Sequence, residues 1–234
     1  MAAVQHTFGV IPDMIRSNGG RVLSEDETKA MVNSPEAIEA VQTAVDWLLK
    51  HKVAMAPGEE KALGQVAFQS DKLATGLIPG HDWAIYSVQT KGLSGKAWLN
   101  PSWPISPRTK KHAHVAEVHA RAIAGKSKVA DPTWEYLAWL QTSDEGVRSQ
   151  LVDVGYMPTY NLRKQLDALE EGRRNFYLEM MEYFKDIVVL NWGPKPTECT
   201  DAFTAEYQAA LLGKKSVPDA MKDAASAINQ ILAG

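Results

Sequence analysis

The chain has 234 residues, 45% of them apolar and 23% charged, which suits one large buried core or two modest ones. It carries 25 Lys and Arg against 28 Asp and Glu, a net charge of −3, so there is no electrostatic drive toward nucleic acid or an anionic membrane. Cys199 is the single cysteine, which excludes an intrachain disulfide and does not decide the redox compartment.

The N-terminus, Met1-Ala2-Ala3-Val4-Gln5-His6, lacks the basic-then-apolar pattern of a signal peptide, and no run approaches the ~18 apolar residues of a membrane span. The clearest helix is predicted over Pro35–Lys50, where Ala37, Ile38, Val41, Ala44, Val45, Leu48 and Leu49 form one stripe. Ser34 suits its N-cap and Pro35 its first position, where a missing N–H costs nothing. A shorter helix is predicted at Lys61–Phe68, a strand at Lys72–Ile78 before Pro79-Gly80, and a short helix from His81 to Val88. Ala97–Pro107 reads as a short strand running into an extended connection, and Val115–Ile123 as a strand. Asp131-Pro132 opens a helix to Gln141, and Ser143 caps another to Val154. Gly155-Tyr156-Met157-Pro158 is a turn. Helices follow at Leu162–Leu169, Arg173–Lys185 and Ala202–Leu212, the last ending at Gly213. The final helix has Ser216 as cap and Met221, Ala224, Ile228 and Ile231 as stripe. Many helices among a few short strands make an α/β pattern.

Several fragments resemble, in order, the extracellular solute-binding family 1, the maltose-binding-protein-like sugar-binding components of ABC importers. They are Phe8…Ile11…Ile15…Asn18-Gly19-Gly20, Asn33-Ser34-Pro35-Glu36-Ala37, Phe68…Asp71-Lys72-Leu73-Ala74 and Gly80-His81-Asp82-Trp83. Ala122-Ile123…Ser127-Lys128, Trp134…Trp139, Gly155-Tyr156-Met157-Pro158 and Leu212-Gly213-Lys214…Asp219-Ala220 continue the series. Each is weak alone, and their shared order carries the resemblance. Asn-Gly-Gly also suits a turn with positive φ. Two positions depart from the family pattern: Asp71 stands where the family has Gly, and Ala116–His119 replaces a glycine-rich segment.

The resemblance implies a type II periplasmic-binding-protein-like, two-lobe α/β fold that begins well inside the family pattern, so that the N-terminal portion lies outside it. Residues 1–114 and 170–234 would belong to the C-terminal lobe. Residues 115–169 would supply a hinge strand and a helical part of the N-terminal lobe. The implied function is non-covalent capture of a sugar or oligosaccharide in an interlobe cleft, with a membrane ABC permease as partner and a periplasmic or extracellular location. No cofactor or covalent chemistry is implied, so the chain would not be an enzyme.

Trp83 is the first candidate for the ligand site, because an indole offers a flat face to the C–H side of a sugar ring. Gly80 and His81 could add backbone or imidazole contacts. Tyr156 and His119 complete the candidate set. The plainer reading of Trp83 is a partly buried structural indole, and that of Tyr156 a hydroxyl pinning its turn. Trp98 and Trp103 are read as hinge packing, Trp134 and Trp139 as core, and Trp47 as structural.

A different class is offered by His112, His114, Glu117 and His119. Three or four such ligands converging would suit a transition metal, but a strict strand splits them between two faces. No nucleophile elbow or phosphate-binding loop is present. Asp144-Glu145 and Glu170-Glu171 read as solvated helix ends, and Arg108-Thr109-Lys110-Lys111 as a solvated loop. A third reading is a folded module without ligand. A homodimer is expected through a sheet edge left uncovered around residues 115–169.

Overall fold

The structure, a computed structural model, describes residues 10–55, 105–111, 114–116, 120–154, 162–169, 171–183, 187–189 and 192–234. In chain order its elements are α1 (Val10–Ser17), α2 (Pro35–Leu49), β1 (His114–Ala116), α3 (Ala130–Thr142), α4 (Asp144–Ser149), α5 (Leu162–Gln165), α6 (Glu171–Tyr183), β2 (Ile187–Val189), α7 (Pro196–Leu211) and α8 (Val217–Ala233). A π-helical turn, Gln150–Val154, extends α4, and a 3-10 turn, Leu166–Ala168, extends α5. Helix dominates, and strand among the described residues is limited to β1 and β2. Among the described residues, the expected α/β class rests on this pair alone. The expected strand at Val115–Ile123 is three residues long in β1, and residues 120–123 carry no regular structure.

The described residues separate into two units. The first contains 10–55, 105–111, 114–116, 187–189 and 192–234, and the second 120–154, 162–169 and 171–183. α6 thus belongs with the second unit, whereas sequence reading ended that segment at residue 169. The reason is local, since α6 lies against the 3-10 turn just before it.

Among the described residues, the first unit contains four helices. In α1, Val10, Ile11, Met14 and Ile15 share one face and are all buried. This helix was not expected from the sequence, because eight residues are too few to display a clear period. It ends at a glycine turn. Gly19 takes φ +90, its N–H donates to Arg16 O (3.0 Å), and the Gly20 N–H donates to Ile15 O (2.8 Å). This pairing satisfies carbonyls that a helix end would otherwise leave bare. α2 follows the sequence reading closely. Ser34 Oγ accepts from the Ala37 N–H (3.3 Å), and Ala37, Ala40, Val41, Ala44 and Val45 are buried. Trp47 is half-buried against the core, and Leu49, at the last turn, is exposed.

α7 and α8 form a helical hairpin. α7 begins at Pro196, well before the expected Ala202, with proline again in the first turn. Its C-terminus repeats the glycine device: Gly213 has φ +67, and the Lys214 N–H donates to Ala209 O (2.9 Å). Ser216 caps α8 by accepting from the Asp219 N–H (3.2 Å). Phe203, Tyr207, Met221 and Ile228 join Ile11, Ile15 and Val41 in one core cluster. Each fully buried side chain of this size contributes about 1.5–3 kcal/mol. β1 and β2 pair in parallel with His114 opposite Ile187, and β1 lies against α1.

The second unit has a smaller core of Leu151, Leu166, Leu169 and Tyr177. Ser143 both ends α3 and caps α4, its Oγ accepting from the Gly146 N–H (2.9 Å). Gly146 lies so close to α3 that an added Cβ would sit 2.6 Å from Leu140 Cα. The buried Gln150 donates to Leu140 O (2.6 Å), tying the π-helical turn to the same helix. α3 itself has no buried residue. Trp134 (65%) and Trp139 (42%) are exposed, contrary to their assignment to a core. Their helix turns Leu137, Leu140 and Gln141 inward, with Thr133 and Ala138 beside them, and these residues are half-buried.

Candidate functional site

Trp83, Gly80, His81, Tyr156 and His119 all lie outside the described residues. The same holds for Trp98, Trp103, His112, Glu117 and the elements expected between Lys61 and Val88. His114 is described through its backbone only, as the first residue of β1. The expected ligand set and the histidine cluster therefore remain expectations. Among the described residues, no group of three or more His, Cys, Asp or Glu could hold a metal.

The most developed polar constellation lies at the end of α1, and the sequence reading missed it. Asn18 follows the last helical residue and is 6% exposed. Its amide donates to Glu36 O (2.9 Å) and to Glu39 Oε2 (3.1 Å) at the start of α2. Its carbonyl oxygen accepts from Ser106 Oγ (2.8 Å). Thr109 Oγ1 donates to Ser17 O (2.5 Å), and Arg108 pairs with both Glu36 (3.1 Å) and Glu39 (2.5 Å). The segment 105–111 is thereby held on the α1–α2 corner. Gly20 lets the corner close, since a Cβ there would sit 2.9 Å from Ile15 Cγ2 and 3.2 Å from the Ala37 N. Of the basic run read as a solvated loop, Arg108 is anchored, while Lys110 and Lys111 are exposed as expected. The Asn-Gly-Gly motif signalled the turn. It could not signal the loop that docks there, because that loop is distant in sequence.

At this corner one guanidinium is shared by two carboxylates. The Arg108 hydrogen bond, followed by that from Asn18, holds the Glu39 carboxyl below its ordinary range, and Glu39 in turn raises Arg108. With Arg108 bridging Glu36 and Glu39 and Asn18 bonded to Glu39, this corner ties segment 105–111 to the start of α2.

A second feature sits under α7. Trp192 packs against Phe203 (ring centroids 5.4 Å apart), and Phe203 stacks on Tyr207 (6.0 Å). The Trp192 indole N–H is buried without a hydrogen-bond partner. Burial pushes the Tyr207 phenol and the Cys199 thiol up, keeping both protonated. Lys195 Nζ donates to Ile231 O (3.1 Å) and so caps the end of α8. Asp144 and Glu145, read as a solvated helix end, are exposed at the start of α4, where Asp144 pairs with Lys164.

No model of a known protein family matches the chain, and no curated protein matches it. Solved structures do. The maltose-maltodextrin binding protein of Alicyclobacillus acidocaldarius superposes with TM-score 0.81 at 18% identity, covering 97% of this chain and 61% of that one. An ABC transporter solute-binding protein from Thermotoga lettingae, bound with alpha-D-tagatose, gives 0.80 at 18% identity, covering 99% and 59%. An ABC substrate-binding protein from Listeria monocytogenes, in complex with cycloalternan, gives 0.73 at 16% identity, covering 99% and 58%. The chain thus has the fold of two-lobe solute-binding proteins and spans less than two thirds of the length of each of these three. All three are binding proteins, and no helix among the described residues is long and apolar enough to cross a membrane.

Proposed function

We propose that the chain is the solute-binding component of an ABC importer, or part of one, and takes a sugar or oligosaccharide without covalent chemistry. The observation that carries this reading is the superposition on sugar-binding proteins over nearly the whole chain, at TM-scores of 0.80 and 0.81. The collinear motifs read from the sequence support it independently. Trp83 is the proposed stacking residue, with Gly80, His81, Tyr156 and His119 as polar neighbours. An indole and a few hydrogen-bonding groups are what a neutral, hydroxyl-rich ring needs, since its C–H face is apolar and its rim is polar. The partner would be a membrane permease and the location periplasmic or extracellular.

The test is a titration with a panel of mono- and oligosaccharides, followed by tryptophan fluorescence. A saturable change with one sugar, abolished in Trp83→Ala, is expected. Lack of response across the panel from a folded sample, or a response unchanged in Trp83→Ala, would refute the assignment of that site.

A further inference from the structure

We propose that Asn18-Gly19 is a self-modification site, at which deamidation is held off by the folded α1–α2 corner and, once it occurs, leaves that corner permanently weaker. It is the one Asn-Gly pair in the sequence. Asparagine before glycine is chemically labile, because glycine has no Cβ to shield its nitrogen from the preceding side chain. The corner requires both residues. Gly19 stands at φ +90, where a side chain is strained, and an added Cβ would also sit 3.4 Å from Thr109 Cγ2. The Asn18 amide ties the end of α1 to the start of α2, and its oxygen receives Ser106. The labile pair is thus built into the turn.

The reaction needs no co-reactant but water. The Gly19 nitrogen attacks Asn18 Cγ, its proton passes through water to Nδ2, the Cγ–Nδ2 bond breaks and ammonia leaves. Water then opens the five-membered imide at either carbonyl, giving aspartate or its β-linked isomer, with no change of oxidation state. Folding blocks the first step from both sides. The Gly19 N–H donates to Arg16 O at 3.0 Å. The Asn18 amide is fixed by Glu36 O (2.9 Å), Glu39 Oε2 (3.1 Å) and Ser106 Oγ (2.8 Å), and the residue is 6% exposed. Attack requires Cγ to leave these bonds for the next nitrogen, so the rate follows local opening of the corner.

The product does not fit. An aspartate oxygen in place of Nδ2 donates nothing, and it faces the Glu36 carbonyl and the Glu39 carboxylate where the amide had donated. Arg108 is already shared by Glu36 and Glu39. The β-linked isomer adds a carbon to the main chain inside a turn whose N–H groups at 18, 19 and 20 all bond back to α1. A brief opening of the corner is thereby converted into a lasting loss.

Peptide mapping by mass spectrometry of the intact chain, aged at mildly alkaline pH with and without strong urea, tests the proposal. The peptide carrying Asn18-Gly19 should gain one mass unit in urea, and about tenfold or more slowly in the folded chain. Ser106→Ala, which removes one clamp on the amide, should speed the folded-state reaction several-fold, whereas Gly146→Ala, in the second unit, should leave it unchanged. Asn18→Asp should lower the urea midpoint of the first unit. That loss should shrink in the Glu39→Gln background, where the Gln amide can donate to the new carboxylate. Equal rates in the folded and unfolded chain overturn the proposal. So does a folded-state rate that Ser106→Ala leaves unmoved or that Gly146→Ala raises as much, or an Asn18→Asp chain that unfolds at the parent's urea concentration.

Discussion

Replacing Asn18 by Ala removes a buried side chain that bonds in three directions. Two donated bonds disappear, one to the Glu36 carbonyl at 2.9 Å and one to the Glu39 carboxylate at 3.1 Å. The first is worth about 0.5–1.5 kcal/mol, and the second less, because Glu39 is half in solvent and keeps Arg108. The larger cost falls on Ser106. Ser106 is 8% exposed, and its hydroxyl loses the oxygen that takes its proton at 2.8 Å. The oxygen keeps the Arg108 N–H (3.1 Å) and the Thr109 N–H, so it is the buried O–H donor that is left unpaired, at about 1–3 kcal/mol. The sum is about 2–4 kcal/mol, lost from the first unit. Urea denaturation followed by circular dichroism measures it, and the cycle Asn18→Ala, Ser106→Ala and the double variant isolates the shared part. Ser106→Ala should cost clearly less in the Asn18→Ala background than in the parent, since the orphaned hydroxyl is then gone. A change under about 0.5 kcal/mol for Asn18→Ala, or strict additivity in the cycle, would refute this account of the corner.

Three other outcomes follow from the same geometry. Gly146→Ala puts a Cβ 2.6 Å from Leu140 Cα and 2.7 Å from two carbonyl oxygens; backbone cannot yield as a side chain can, so the second unit should lose about 1–3 kcal/mol. Hydrogen exchange would show faster exchange over 130–154 with 10–55 unchanged, and equal rates would count against the contact. Glu39 has a folded value below its ordinary one of 4.5; its contribution is therefore complete above that value and is lost as pH falls through the folded one. Stability of the parent should accordingly drop more steeply than that of Glu39→Gln below about pH 4.5 in urea melts, and parallel slopes would exclude the linkage. Cys199 is fully buried and its thiol is pushed up by that burial, so a thiol reagent should label it only as the chain unfolds; prompt labelling of the native protein would contradict the packing under α7.

What the sequence by itself determined is local. Ser34 and Ser216 each stand one turn before the N–H they cap, and Pro35 and Pro218 sit where a helix tolerates proline. Asn18-Gly19-Gly20 and Leu212-Gly213-Lys214 place glycine where the chain must take positive φ. These signals act over three to six residues, so a linear reading captures them. The apolar stripes of α2 and α8 were legible for the same reason, being periodic over fifteen and seventeen residues. α1 and β2 were too short to show a period, and neither was expected. Only the tertiary structure decided which faces are covered. Trp134 and Trp139 have the composition of a core helix, yet burial depends on what else is folded against that helix, and no pattern within α3 records this. The same holds for Asn18 and Ser106, which are 88 residues apart. Their hydrogen bond exists because two remote segments meet, and the residues on either side of each carry no trace of the other.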